Sequence, residues 1–297
     1  MDPFTVIYTT RSPSLTLPEN IHVNLSPSFN RQTLPGDQER DIDKHWQDRL
    51  VQLPSLFNGT KFRLDSLEDN KSGDLNLNLG VTCYKDFQGT NLSQDVLLMQ
   101  SQGLCDHDNS QAYLSDALGV GAFVLTADDH MVLLFRSQNC GEDVNLWDRP
   151  GGHAEPKALV GNIPMEDIKV ENMDPEKVIK ELFSSIIEEV VSEVNIPAES
   201  LQPPGILGIH RSNLNGGKPN VEFLVRCKLT SEEVEREYAK GSHSEAYESE
   251  RILLLPMGEA LSSEATKPEL WAKMAAGAKA TVTLYKMYRH RFPEAAQ

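Results

Sequence analysis

Residues 148–197 hold the feature that most restricts what this chain can become: a glycine turn, DRPGGHAEP, and then a helix pattern, KELFSSIIEEVVSEVNIP. Val178, Leu182, Ile186 and Val190 recur at the spacing of a helix with one apolar face. Asp174 is a good N-cap with Pro175 at the first helical position, and Asn195-Ile196-Pro197 closes the helix. Glu189 and Glu193 stand four apart, so both carboxylates leave the same side of the helix. Two carboxylates at that spacing, set across a tight turn, suit a hard divalent cation that keeps part of its water. Metal-bridged phosphate chemistry is the expectation.

The remaining chain supplies a sheet to carry this pair. TVIYTT reads as a strand, and prolines at 13, 18, 27 and 35 mark turns around a short VNLSP segment. Residues 41–57 have helical spacing through Ile42, Trp46 and Leu50 and break near Pro54. In LNLNLGVTCY, Leu75, Leu77, Leu79 and Val81 alternate as in a half-buried strand; DFQGTN follows as a turn, and LSQDVLLMQSQGL as a short helix ended by Gly103. From residue 118, LGVGAFVLTADDHMVLLFRSQ gives two strands joined at ADDH, and residues 156–173 read as a polar loop. GILGIHR and VEFLVRCKL are strands around NLNGGKPN, SEEVEREYAK a helix, ERILLLP a strand, and residues 268–291 a terminal helix. That order predicts an α/β fold, a mixed sheet covered by helices on both faces.

Composition excludes some partners. Lys plus Arg number 28 against 44 Asp plus Glu, a net charge of −16 that argues against nucleic acid, which wants clustered cations. The four cysteines, 83, 105, 140 and 227, form no CxxC and have no histidine at zinc spacing, so they read as reduced thiols of an intracellular protein. No apolar run approaches a membrane span and the N-terminus lacks a signal-peptide pattern, which makes a cytoplasmic location the default, a nuclear presence remaining open. The sequence sets no oligomeric state.

The turn and helix together resemble the Nudix box, G-x5-E-x7-R-E-U-x-E-E-x-G-U with U apolar. On the helix, Glu189 falls on the glutamate after the arginine, Glu193 on the last glutamate of the pair, and Val190 and Ile196 on the apolar positions. Glu188 stands for the arginine, Ser192 for the first glutamate of the pair and Asn195 for the glycine. Gly152 and Glu188 are 36 positions apart where the pattern has 14, so 22 residues are extra; the glutamate of G-x5-E has no clear heir, since Lys180 holds its register and Glu181 is one off. The wider series KFRL, CYKDFQGTN, LGVGA, RPGGHAEP, ELFSSIIEEV and SEVNIP is similar to the uridine diphosphate glucose pyrophosphatase branch of that superfamily. The resemblance implies a Nudix-type α/β/α sandwich with a β-rich N-terminal extension, divided here as residues 1–116 and 117–297. It also implies Mg²⁺-dependent splitting of UDP-glucose or UDP-galactose into UMP and a sugar 1-phosphate, with Mn²⁺ as a substitute cation.

Within that reading Glu189 and Glu193 hold the metal, and either Glu193 or Glu155 suits a general base. Gly151 and Gly152 let the backbone approach phosphates, or simply make a tight turn. His153 donates to a phosphate or to uridine, or is structural; Glu155 adds a further acidic group; Asp148 accepts from a hydroxyl or caps the turn. Arg136, ending its strand near the turn, grips the diphosphate or makes a surface ion pair. Phe57 and Tyr84 stack on uracil or pack in the core, and Asn91 contacts the nucleotide or closes its own turn. Two rivals fit the same residues. One is a nucleotide-sugar-binding module whose box has decayed, motivated by Glu188 and Ser192; the other is a hydrolase of another nucleoside diphosphate derivative such as ADP-ribose.

Overall fold

The structure is a computed structural model and describes residues 2–53, 56–70, 73–161 and 163–295. Strands β1 (Phe4–Thr9) and β2 (Ile21–Leu25) precede α1 (Gln38–Gln52), β3 (Thr60–Asp69), β4 (Leu75–Cys83), α2 (Tyr84–Gly89) and α3 (Val96–His107). Then come β5 (Gly119–Leu125), β6 (His130–Arg136), β7 (Trp147–Asp148), β8 (Gly151–His153), α4 (Pro156–Val160), α5 (Pro175–Val194), β9 (Gly205–Ser212) and β10 (Lys218–Arg226). The chain ends in α6 (Ser231–Ala239), β11 (Ser249–Pro256), α7 (Met257–Thr266), α8 (Pro268–Ala272) and α9 (Ala276–Arg291).

The large sheet runs β1-β9-β10-β5-β6-β11, with β7 beside β6 and β8 beside β5. β10 and β5 are parallel from Asn220↔Gly119 to Arg226↔Leu125, and the other pairs are antiparallel. The hairpin at ADDH pairs Leu125 with Met131 and then opens. Into that opening β8 pairs with Gly119–Gly121 of β5, and β7 with Leu134 and Phe135 of β6. The glycine turn is thereby sewn into the middle of the sheet rather than hung from its edge.

Strand alternation sends Val120, Ala122 and Val124 to one face and Phe123 and Leu125 to the other. The first face meets Val178, Leu182, Ile186, Val190 and Val194 of α5, all essentially buried, each contributing about 1.5–3 kcal/mol of transfer free energy. The second face meets α7 and α9, where Phe123 stacks on Tyr285 at 4.4 Å between ring centroids. A separate three-stranded sheet, β2-β4-β3, with β2 and β4 parallel, buries Leu75, Leu77 and Leu79 in the same core as α5. The mixed sheet with helices on both faces is as expected, and β4 alternates from Leu75 to Leu79 before the pattern breaks at Gly80, leaving Val81 half-buried.

Several local expectations are corrected. DFQGTN is a turn only at Thr90 and Asn91: residues 84–89 are helical as α2, with Phe87 in a buried seat. Gly103 does not end α3. The helix runs through it to His107 and stops at Asp108 in the left-handed region, while Gly103 serves a close approach, its missing Cβ lying 2.7 Å from the Asn109 carbonyl oxygen. Residues 156–173 contain α4 and two 3₁₀ turns. The terminal helix is two, broken at 273–275, where Trp147 accepts from the Ala275 amide and donates its own to Lys273. Pro54 lies outside the described residues; α1 ends before it, at Gln52. The first strand, β1, pairs with β9, so residues 4–9 belong to the large sheet although they precede the three-stranded one.

Candidate active site

Helix α5 is set by its ends. Asp174 accepts from the Glu176 amide at 3.0 Å, and Asn195 takes φ 66° at the C-cap and donates to the Glu237 carbonyl at 2.7 Å. Asparagine tolerates that left-handed conformation where most residues do not. With the apolar stripe held against the sheet, Glu189 and Glu193 face the turn. Gly151 donates its amide to Glu193 at 2.8 Å, and His153 donates its amide to Glu189 at 3.3 Å. A Cβ on Gly152 would collide with the Glu189 carboxylate, and one on Gly151 with the Val120 carbonyl, so the two glycines are required by close approach.

A third carboxylate joins them. Glu245, on the loop between α6 and β11, has a ligand oxygen within 4.8 Å of those of Glu189 and Glu193. It accepts from the Ser192 hydroxyl at 2.9 Å. Burial, with Glu245 and Glu248 nearby, raises Glu189 to about 8, and burial together with Glu189 lifts Glu193 well above the carboxylate range. Three hard oxygen donors crowded this closely, with two of them reluctant to ionise, fit a divalent cation, which relieves their repulsion.

These groups line a cleft of about 300 Å³ at the starts of the parallel strands β5 and β10, bounded by Val120, Lys218 and Asn220. Arg136, Arg149, Lys61 and Lys218 bring positive charge to it. Burial works against the charge on Arg136, but Asp148 and Glu193 hold its pKa above the ordinary value. Arg136 also donates to the Glu142 carbonyl at 3.1 Å. Lys61 is ion-paired with Glu155, and Lys218 with Glu142 at 3.0 Å. His153 is neutral, because burial and then Lys218, Lys61, Arg149 and Arg136 lower its pKa well below normal. Its Nε2 is buried with no hydrogen-bond partner among the described residues.

Of the residues singled out from sequence, Tyr84, Arg136, Asp148, Gly151, Gly152, His153, Glu155 and Glu189 line this one cleft, with Glu193 buried directly behind it. Asp148 accepts from the amide and the Nη1 of Arg149, at 2.9 and 3.0 Å. Tyr84 accepts from Gln88 at 2.7 Å and meets Trp46 edge-on at 6.0 Å. Phe57 is not among the lining residues; it is 67% exposed, with Lys157 Nζ 5.8 Å from its ring centroid. Asn91 is buried elsewhere, donating to Asp116 at 3.0 Å and accepting its amide at 2.9 Å. Glu188 is exposed, while Glu181 turns inward and accepts from the Glu155 amide at 3.4 Å. Lys61, Glu245, Glu248, Lys218 and Arg149 escaped the sequence reading. Arg149, inside DRPGG, was findable there; the others come from remote segments with no local signature.

Arg149 rests on a buried carboxylate. Its Nη2 donates to Glu222 at 3.0 Å, and Glu222 also pairs with His210 at 2.9 Å and accepts from Thr281 of α9 at 2.6 Å. The floor of the cleft is thus tied to the helix on the opposite face of the sheet.

No family model matches this chain. It is 40% identical over 274 residues to the uridine diphosphate glucose pyrophosphatase NUDT22 of Mus musculus, spanning 91% of this chain and 86% of that one. It is 35% identical over 260 residues to Nudix hydrolase 9 of Arabidopsis thaliana, spanning 83% and 81%. A solved MutT protein from Methanosarcina mazei Go1 is similar at a TM-score of 0.33, with 16% identity over 58% of this chain and 92% of that one. With that identity to its curated relatives spread over most of both lengths, the chain belongs to the Nudix hydrolases, in the family of the uridine diphosphate glucose pyrophosphatases.

Proposed function

We propose that this protein is a divalent-cation-dependent hydrolase of UDP-glucose and UDP-galactose, releasing UMP and glucose 1-phosphate or galactose 1-phosphate. The observation that carries the reading is the meeting of Glu189, Glu193 and Glu245 beside the glycine turn, in a cleft that also holds Arg136, Lys61 and Lys218. The name of the 40% identical relative supports the substrate. Water attacks a phosphorus of the diphosphate, one P–O bond forms and the bridging P–O bond breaks, and the water's protons pass through a carboxylate base, Glu193 or Glu155, to solvent. A bound Mg²⁺, with Mn²⁺ as substitute, supplies charge neutralisation on the diphosphate oxygens and a more acidic water.

The chain's own groups do the rest. Glu189, Glu193 and Glu245 hold the cation. Arg136 grips phosphate oxygens as a planar fork, with Lys61 and Lys218 as point charges. Neutral His153 offers Nε2 to a phosphate or uridine atom, Asp148 accepts from a hydroxyl, Tyr84 gives the uracil a ring face, and Glu155 is the acidic group steadied by Lys61. Residues 1–116 act as the extension that selects uridine, with Phe57 at its exposed margin, and residues 117–297 as the hydrolase proper. No helix among the described residues is long and apolar enough to cross a membrane, and Cys83, Cys105, Cys140 and Cys227 are free thiols, which supports a cytoplasmic setting.

The test is a panel of UDP-glucose, UDP-galactose and ADP-ribose with Mg²⁺ and product identification. UMP and hexose 1-phosphate from the UDP-sugars are expected, with turnover lost in Glu189→Gln and Glu193→Gln. Faster turnover of ADP-ribose would reassign the substrate. Tight calorimetric binding of UDP-glucose with no product after prolonged incubation would make the protein a binding module.

A further inference from the structure

Ser192 lies on the same side of α5 as Glu189 and Glu193. Its hydroxyl points at Glu245 Oε2 at 2.9 Å, the shorter of its two contacts, the other being the Glu189 carbonyl at 3.3 Å. The Ser192 carbonyl in turn accepts the Glu245 amide at 3.1 Å. Glu245 is therefore gripped at both its backbone and its carboxylate by one residue of the helix that carries the other two carboxylates. Three residues on, Asn195 donates to the Glu237 carbonyl at 2.7 Å and to Ser242 Oγ at 3.4 Å, so the same end of α5 anchors the start of the loop.

The grip has a job to do. Glu189, Glu193 and Glu245 place ligand oxygens within 4.8 Å of one another, where carboxylates repel. Glu189 and Glu193 are fixed by a rigid helix and by amides of the turn, whereas Glu245 sits on a loop and, without the Ser192 contacts, would relax toward water. A hydrogen bond from a hydroxyl to an ionised carboxylate is stronger than one between neutral groups and opposes that relaxation. It also leaves Glu245 Oε1 for another partner.

We propose that Ser192 is a positioning residue that holds Glu245 as the third cation-binding carboxylate, one contributed from outside the helix. The proposal rests on the cation-dependent reading above and deepens it. It makes Ser192 part of the working site instead of a sign that the motif has decayed.

The test is Mn²⁺ binding to the substrate-free protein, by titration calorimetry and by the Mn²⁺ paramagnetic resonance signal, alongside thermal melting in EDTA. Ser192→Ala is expected to weaken Mn²⁺ about tenfold, the lower end of what loss of a ligand-orienting partner costs. Ser192→Thr, which keeps the hydroxyl, is expected to restore most of the affinity. The Ser192→Ala/Glu245→Gln double variant is expected to bind no more weakly than Glu245→Gln alone. Wild-type affinity in Ser192→Ala, additive losses in the double variant, or a loss that threonine does not restore would each overturn the proposal. If Glu189→Gln also left Mn²⁺ affinity unchanged, the cation site itself would fall and this role with it; loss in Glu189→Gln beside wild-type affinity in Ser192→Ala would sink this role alone.

Discussion

Position 152 has no room for a side chain. The nearest atoms to a Cβ there are the flexible end of Glu189, not backbone, so Gly152→Ala should spare the fold and push the carboxylate aside. Turnover is expected to drop roughly a hundredfold, as small misplacements in a site do, with an unchanged circular dichroism spectrum. A wild-type rate would mean that Glu189 works from another position. Glu222 is a residue of the opposite kind, wholly structural. Burial pushes its pKa up, but the Arg149 charge and the His210 contacts outweigh burial and leave it at about 2, below the ordinary 4.5. A depressed carboxylate adds stability that is present above 4.5 and is lost as pH falls toward 2, here roughly 3 kcal/mol. Urea midpoints measured from neutral pH down to 2.5 should therefore fall steeply below 4.5 in the wild type. Glu222→Gln should be less stable throughout and show a flatter acid limb.

At the scale of elements, α5 joins packing to chemistry. Its apolar stripe and its carboxylates lie on different sides of one rigid body, so whatever fixes the stripe aims the acids. Losing the cap in Asp174→Ala should cost about 1 kcal/mol by denaturant titration while leaving turnover near wild type, since Asp174 is far along the helix from the cleft. The helix also sets how cation binding responds to pH. Burial and repulsion among the carboxylates raise Glu189 to about 8 and lift Glu193 well above the carboxylate range, so protons compete with a cation for these oxygens in the cation-free protein. Mn²⁺ affinity should therefore rise with pH toward 8, and binding should release protons. Calorimetry in two buffers of different ionisation enthalpy reads this directly. Equal heats in both would show that the carboxylates are already ionised.

For the whole molecule, the N-terminal strands are not an appendage. Leu75, Leu77 and Leu79 share one core with Ile186 and Val190, and β1 completes the edge beyond β9. Deleting residues 1–116 should expose that apolar face and the β9 edge together, giving aggregated protein. A soluble, cooperatively melting fragment would show that residues 117–297 fold alone. The extension also reaches the cleft, through Lys61 of β3 and Tyr84 of α2, so Lys61→Ala should raise KM for UDP-glucose without unfolding the chain.

What was legible in the sequence was what depends on neighbours along the chain. Helical spacing gave α5, its two caps and the shared side of Glu189 and Glu193. Period-two alternation gave β4, and DRPGGHAEP gave the close approach of backbone to acids. Segments with weak local preference follow tertiary context instead: α2 and the passage of α3 through Gly103 are decided by a buried seat for Phe87 and by the backbone packed on that glycine. The site was half visible for the same reason. Glu189, Glu193, Asp148, His153 and Glu155 lie within one turn-and-helix unit, whereas Lys61, Lys218 and Glu245 arrive from β3, β10 and a loop more than fifty residues beyond Ser192. Periodicity and capping are local and written in the chain; which distant carboxylate and which distant lysines share a cleft follows from strand order and packing, and those exist only once the sheet has closed around the turn.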